Sequence, residues 1–138
     1  MERLMLAPLP MAPKVRYSSP MPIERFRPDS EFDTRERCFI TELRNIPGDE
    51  ACSIARARVP PGVTTELHRL RGIVEHYVIL EGHGVVEVAG EPTRVSELDV
   101  VTIPAESPQR ITNTGAADLT FLCVCVPRWI PESYEALE

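Results

Sequence analysis

The sequence has no basic excess, no long apolar run and no sustained helical period, and each shortage removes a class of protein. Its 15 basic residues face 21 acidic ones, for a net charge of −6 and a pI near 5.1. A chain of that sign lacks the positive surface that a phosphate backbone needs, so no nucleic acid partner is expected. The apolar run Leu4-Met5-Leu6-Ala7-Pro8-Leu9-Pro10-Met11 is cut by prolines and falls well short of the roughly 20 residues that span a bilayer. It reads as neither membrane anchor nor signal peptide, so no membrane association is expected and the cytoplasm is the expected location.

Cysteine is also scarce, at four residues. Cys123 and Cys125 alternate within the apolar run 121–126, which reads as a buried strand, and residues two apart on one strand seldom bridge each other. Together with Cys38 and Cys52 they are expected as reduced thiols.

Proline, in contrast, is abundant near the start. Pro8, Pro10, Pro13, Pro20, Pro22 and Pro28 fall within the first 28 residues, each removing a backbone donor, so residues 1–30 are expected as an irregular arm. Residues 31–138 are the size of one domain with 43% hydrophobic residues across the whole chain, enough for one core.

Within that domain short strand-like runs alternate with turn residues. They cover 37–43, 51–59, 64–70, 75–80, 85–89, 94–95, 100–103, 109–113 and 121–126, separated by Gly, Pro, Asn and Asp. Only 132–138 carries any helical period. An all-β barrel or sandwich is therefore expected.

The segment from Gly62 to Gly82 contains His68, Leu70 and Glu75 at a spacing that resembles the first motif of the cupin superfamily, G(X)5HXH(X)3–4E(X)6G. Gly62, His68, Glu75 and Gly82 match it. The stretch 98–113 resembles the second motif, in which only Pro104 and Asn113 match. With the flanking strands, the resemblance covers about residues 36–127. It implies a double-stranded β-helix, the jelly-roll barrel of that superfamily. It also implies a divalent metal inside the barrel, held by two histidines and a glutamate of the first motif and a histidine of the second.

Two of those four positions differ. Leu70 has no donor, and Gln109 offers a neutral amide oxygen, so the implied metal set is His68, Glu75 and Gln109. Strand alternation puts His68 with Leu70, Glu75 with Tyr77, and Gln109 with Ile111 and Asn113, while His76 should face outward. Glu66, two residues before His68, is a candidate second carboxylate and general base. His83, in a Gly-flanked turn, is left out of the site. Arg56 and Arg58 leave the same side of a strand, either to clamp an anionic ligand or as a solvent stripe.

One imidazole among oxygen donors suits a Lewis acid such as Mn, Mg or Zn, with Fe and Ni open, which points to isomerase, lyase or decarboxylase chemistry on a small carbonyl, enolate or sugar-like substrate. A non-catalytic small-molecule binder and a metal-dependent dioxygenase are the alternatives, since the fold permits all three. A homodimer is expected, with the arm residues Leu4, Met5, Leu6, Leu9, Met11, Ile23 and Phe26 helping to hold the partner.

Overall fold

Apolar and polar residues alternate in short runs, and the backbone follows that period as strand because one side of each run can then be buried. The computed structural model describes residues 23–138. In chain order the strands are β1 (Phe32–Asp33), β2 (Phe39–Arg44), β3 (Ser53–Val59), β4 (His68–Leu70), β5 (Val74–Glu81) and β6 (Gly84–Val88). They continue with β7 (Glu91–Val95), β8 (Val100–Ile103), β9 (Gln109–Asn113), β10 (Leu119–Val126) and β11 (Tyr134–Ala136). Helix is confined, among the described residues, to 3-10 turns at Pro28–Ser30 and Pro131–Ser133, so none is long and apolar enough to cross a membrane.

The strands form two antiparallel sheets, in the orders β1-β2-β3-β10-β5-β8 and β11-β4-β9-β6-β7. β10 lies between β3 and β5, so segments distant in sequence become neighbours and the two sheets close as a jelly roll. Val59, Ile79, Ile111 and Leu119 are wholly buried between them, with Ile103 and Phe121 nearly so. Burial of each such side chain contributes about 1.5–3 kcal/mol relative to exposure.

Gly82 turns the chain from β5 to β6 with φ +86°, and a Cβ there would come within 2.9 Å of the Asp118 carbonyl oxygen. Left-handed backbone and close approach together require glycine at this point.

Of the arm, residues 1–22, and with them Leu4, Met5, Leu6, Leu9 and Met11, lie outside the described residues. Ile23 and Phe26 are about half exposed, at 48% and 54%. The tail departs from the expected helical period: after the Pro131–Ser133 turn it forms β11, pairing Tyr134 with Leu70 and Ala136 with His68. A segment this short cannot sustain a helix alone, and β4 offers it an open edge for its backbone groups. The run expected as strand from Thr64 shortens to β4, with Thr64 making only an isolated bridge to Thr112.

Arg56 and Arg58 belong to the outer face of β3. Both pair with Glu31, Arg58 also with Asp118, and the Arg58 guanidinium lies 4.2 Å from the centre of the Phe39 ring. All four cysteines are free.

Candidate functional site

β2, β3, β5 and β10 of one sheet and β4 and β11 of the other enclose a cavity of about 120 Å³. Period-2 alternation decides which side chains reach it. On β5 Glu75 and Tyr77 point inward, and their register partners on β10, Cys125 and Cys123, do the same. His76, between them, faces out and meets Thr102 on β8, 3.1 Å from its hydroxyl.

His68 is 4% exposed and lines the cavity from β4. Its Nδ1 lies 2.8 Å from the Glu66 main-chain carbonyl oxygen, which can only accept, so Nδ1 carries the proton and Nε2 the free lone pair. Burial holds the imidazole below its usual range, against the opposing pull of that carbonyl. The Tyr134 ring stacks on it, with centroids 4.7 Å apart.

Glu75 is 6% exposed on the opposite wall. Its Oε2 accepts a 3.4 Å hydrogen bond from Cys125 Sγ, while the buried Oε1 has no hydrogen-bond partner among the described residues. Burial pushes this carboxyl up to about 7, although Cys125, Gln109 and Cys123 favour its charged form.

Gln109 is the register partner of His68 and is almost wholly buried. Its Oε1 accepts the Tyr77 hydroxyl proton at 2.6 Å, which ties the two sheets together across the interior. Glu66 is buried too, but its carboxylate is held from both sides, by Tyr134 Oη at 2.5 Å and Arg35 Nη2 at 3.0 Å. The Tyr134 bond first, and then Arg35, hold it below the usual carboxylate range.

Glu36 is a site residue that sequence reading passed over. It stands just before β2, in step with Cys38, Ile40 and Glu42, and all four line the cavity. Burial, followed by repulsion from Glu75 and Glu66, pushes its carboxyl up to about 7. The repeat of alternate residues through 36, 38, 40 and 42 was the available signal. Tyr134 was also missed, because the tail's period suggested helix rather than a strand facing His68.

The donor set does not fit the divalent metal implied by the motifs. Leu70 supplies no donor, the Gln109 oxygen is already the acceptor of Tyr77, and Glu66 is engaged by Tyr134 and Arg35. Of the implied set, that leaves one imidazole nitrogen and one carboxyl oxygen, and Glu36 and the cysteines of the wall do not complete it: no three His, Cys, Asp or Glu side chains among the described residues converge as the three or four protein ligands of such an ion would.

A family model described as the cupin domain matches residues 55–125. That span contains His68, Glu75 and Gln109 but neither Glu36 nor Tyr134. An uncharacterized protein of Methanocaldococcus jannaschii is 36% identical over 107 residues, which are 76% of this chain and 86% of that protein. The oxalate-binding protein of Thermotoga maritima is 36% identical over 78 residues, 56% of this chain and 64% of that one. Among solved structures, that of a predicted oxalate decarboxylase from Thermotoga maritima is similar with a TM-score of 0.61 at 32% identity, covering 65% of this chain and 80% of the other.

Proposed function

The chain belongs to the cupin family, and from that premise we propose that its barrel cavity is a small-molecule site in which Glu75 transfers a proton. The proposed chemistry is of isomerase or lyase type, on a small carbonyl, enolate or sugar-like compound. One observation carries this reading: the Glu75 Oε1 atom is buried at the cavity wall without a hydrogen-bond partner among the described residues. A carboxyl near 7 is populated in both forms at neutral pH, so it can take a proton from a carbon next to a carbonyl and return it. His68 Nε2 supplies a second acceptor on the cavity wall. Decarboxylation loses support, because its substrate would bring a carboxylate into a wall that already holds acids. The single imidazole likewise gives little support to the dioxygenase reading.

A non-catalytic binder is the second reading. It is favoured by the engagement of Glu66, the expected general base, with Tyr134 and Arg35. Proton NMR in deuterated water separates the two. A panel of small hydroxycarbonyl compounds should lose the signal of a C–H next to the carbonyl, at a rate that falls by about 100-fold or more in Glu75→Gln. No exchange with the unaltered protein would favour the binder, and equal exchange in the variant would remove Glu75 from the proton-transfer role.

A homodimer in which the arm over residues 1–30 engages the partner is proposed on the exposure of Ile23 and Phe26. Light scattering tests it. A monomeric full chain, or an equally tight dimer after removal of residues 1–28, overturns it.

A further inference from the structure

The cavity wall carries Glu36, Glu42 and Glu75 and, among the described residues, no lysine or arginine. None of these three carboxyls makes an ion pair with a described residue. The neighbouring guanidinium groups are engaged elsewhere, Arg35 with Glu66 and Arg128 with the Asn45 side chain. His68, the one basic side chain on the wall, is held towards its neutral form by burial. Glu42 is exposed and Glu36 half-buried, and Arg128 and Arg35 favour their charged forms, whereas Glu75 is buried with no such guanidinium beside it among the described residues. A carboxyl buried without a counter-charge is costly unless a ligand completes it. The orphaned Oε1 of Glu75, on a side chain 94% removed from solvent, marks where a donor is missing.

The rest of the wall is largely apolar or aromatic: Ile40, Ala57 and Phe121 line it together with Tyr77, Trp129 and Tyr134. Such a surface suits a compact apolar body bearing one positive donor group.

We propose that the cavity selects a small organic cation, an amine whose ammonium is held between Glu36 and Glu75, and rejects carboxylates. This rests on the reading of the cavity as the small-molecule site and narrows its substrate to amine-bearing compounds. It also sets the chain apart from relatives named for oxalate, a dianion that would meet the carboxyls of Glu36 and Glu75 here.

Isothermal titration calorimetry of the full chain at pH 7.5 with cyclopentylamine, cyclopentanol, cyclopentanecarboxylate and oxalate tests the charge preference, since the first three share one ring. The amine should bind at least about tenfold more tightly than the alcohol, and neither anion should give measurable heat. Glu36→Gln and Glu75→Gln keep shape while removing charge. Each should weaken the amine by about tenfold and leave the alcohol within about twofold, with unchanged circular dichroism showing that the fold is intact. Binding of either anion as tightly as the amine overturns the charge preference while the cavity remains a small-molecule site. Silence of all four probes overturns it too, and the hydrogen-exchange assay then decides separately whether the proton-transfer reading survives.

Discussion

Tyr77 and Gln109 stand on opposite sheets and meet in a 2.6 Å hydrogen bond from the phenol hydroxyl to the amide oxygen. Gln109 is 1% exposed, so its amide oxygen is out of reach of bulk solvent. Tyr77→Phe should therefore lower the free energy of unfolding by about 1–3 kcal/mol, the cost of leaving a buried acceptor unpaired. Urea denaturation measures it, and an unchanged midpoint would show that the amide finds another donor.

The buried carboxyls predict how stability depends on pH. Glu75 and Glu36 both rise to about 7 in the folded chain, from an ordinary value of 4.5, so the folded state holds more protons than the unfolded one between those values. Stability is then full below about 4.5 and falls as pH rises through about 7, by up to about 3 kcal/mol for one such group. Glu75→Gln should flatten part of that fall and raise the melting temperature at pH 8 relative to the unaltered chain. A lower melting temperature for the variant at pH 8 would mean that the carboxylate has a counter-charge in solution.

Much of this was legible in the sequence, and the limits have a physical origin. The alternation that puts His68, Glu75 and Gln109 inside is local, and so is the glycine demanded by the Gly82 turn. The face of Arg56 and Arg58 was not legible, because period 2 names two faces without saying which one packs. It took Glu31, 25 residues before Arg56, to settle them on the outside. Glu66 is similar: its spacing from His68 is plain, but Tyr134 lies 68 residues further on and reaches it only once β11 has paired with β4.

The missing metal donors can be put back. Leu70→His with Gln109→His places imidazoles at the two positions where the motif has them, and should raise zinc affinity by at least about tenfold over the unaltered chain. Calorimetric titration with zinc checks it. Equal affinity in the two proteins would show that position 70 or 109 is turned away from His68.

Gly84 on β6 marks a second tight spot. A Cβ there would stand 2.3 Å from the Thr112 carbonyl oxygen on β9. Gly84→Ala should push the two strands apart and cost about 2 kcal/mol or more, whereas Gly90→Ala, with open space around it but a positive φ, should cost about 1 kcal/mol. Thermal unfolding of the pair ranks them, and an equal loss would locate the constraint in the backbone angles rather than in the strand contact.

The cavity is walled by residues as far apart in the chain as Glu36 and Tyr134. No hairpin or half-barrel can contain it, so it comes into existence only once the long-range pairings are made, β10 on β3 and β11 on β4. A ligand that fits it is therefore absent from the folding transition state if either pairing forms late. It should leave the refolding rate untouched and act wholly by retarding unfolding, lengthening the lifetime of the native chain in proportion to its occupancy.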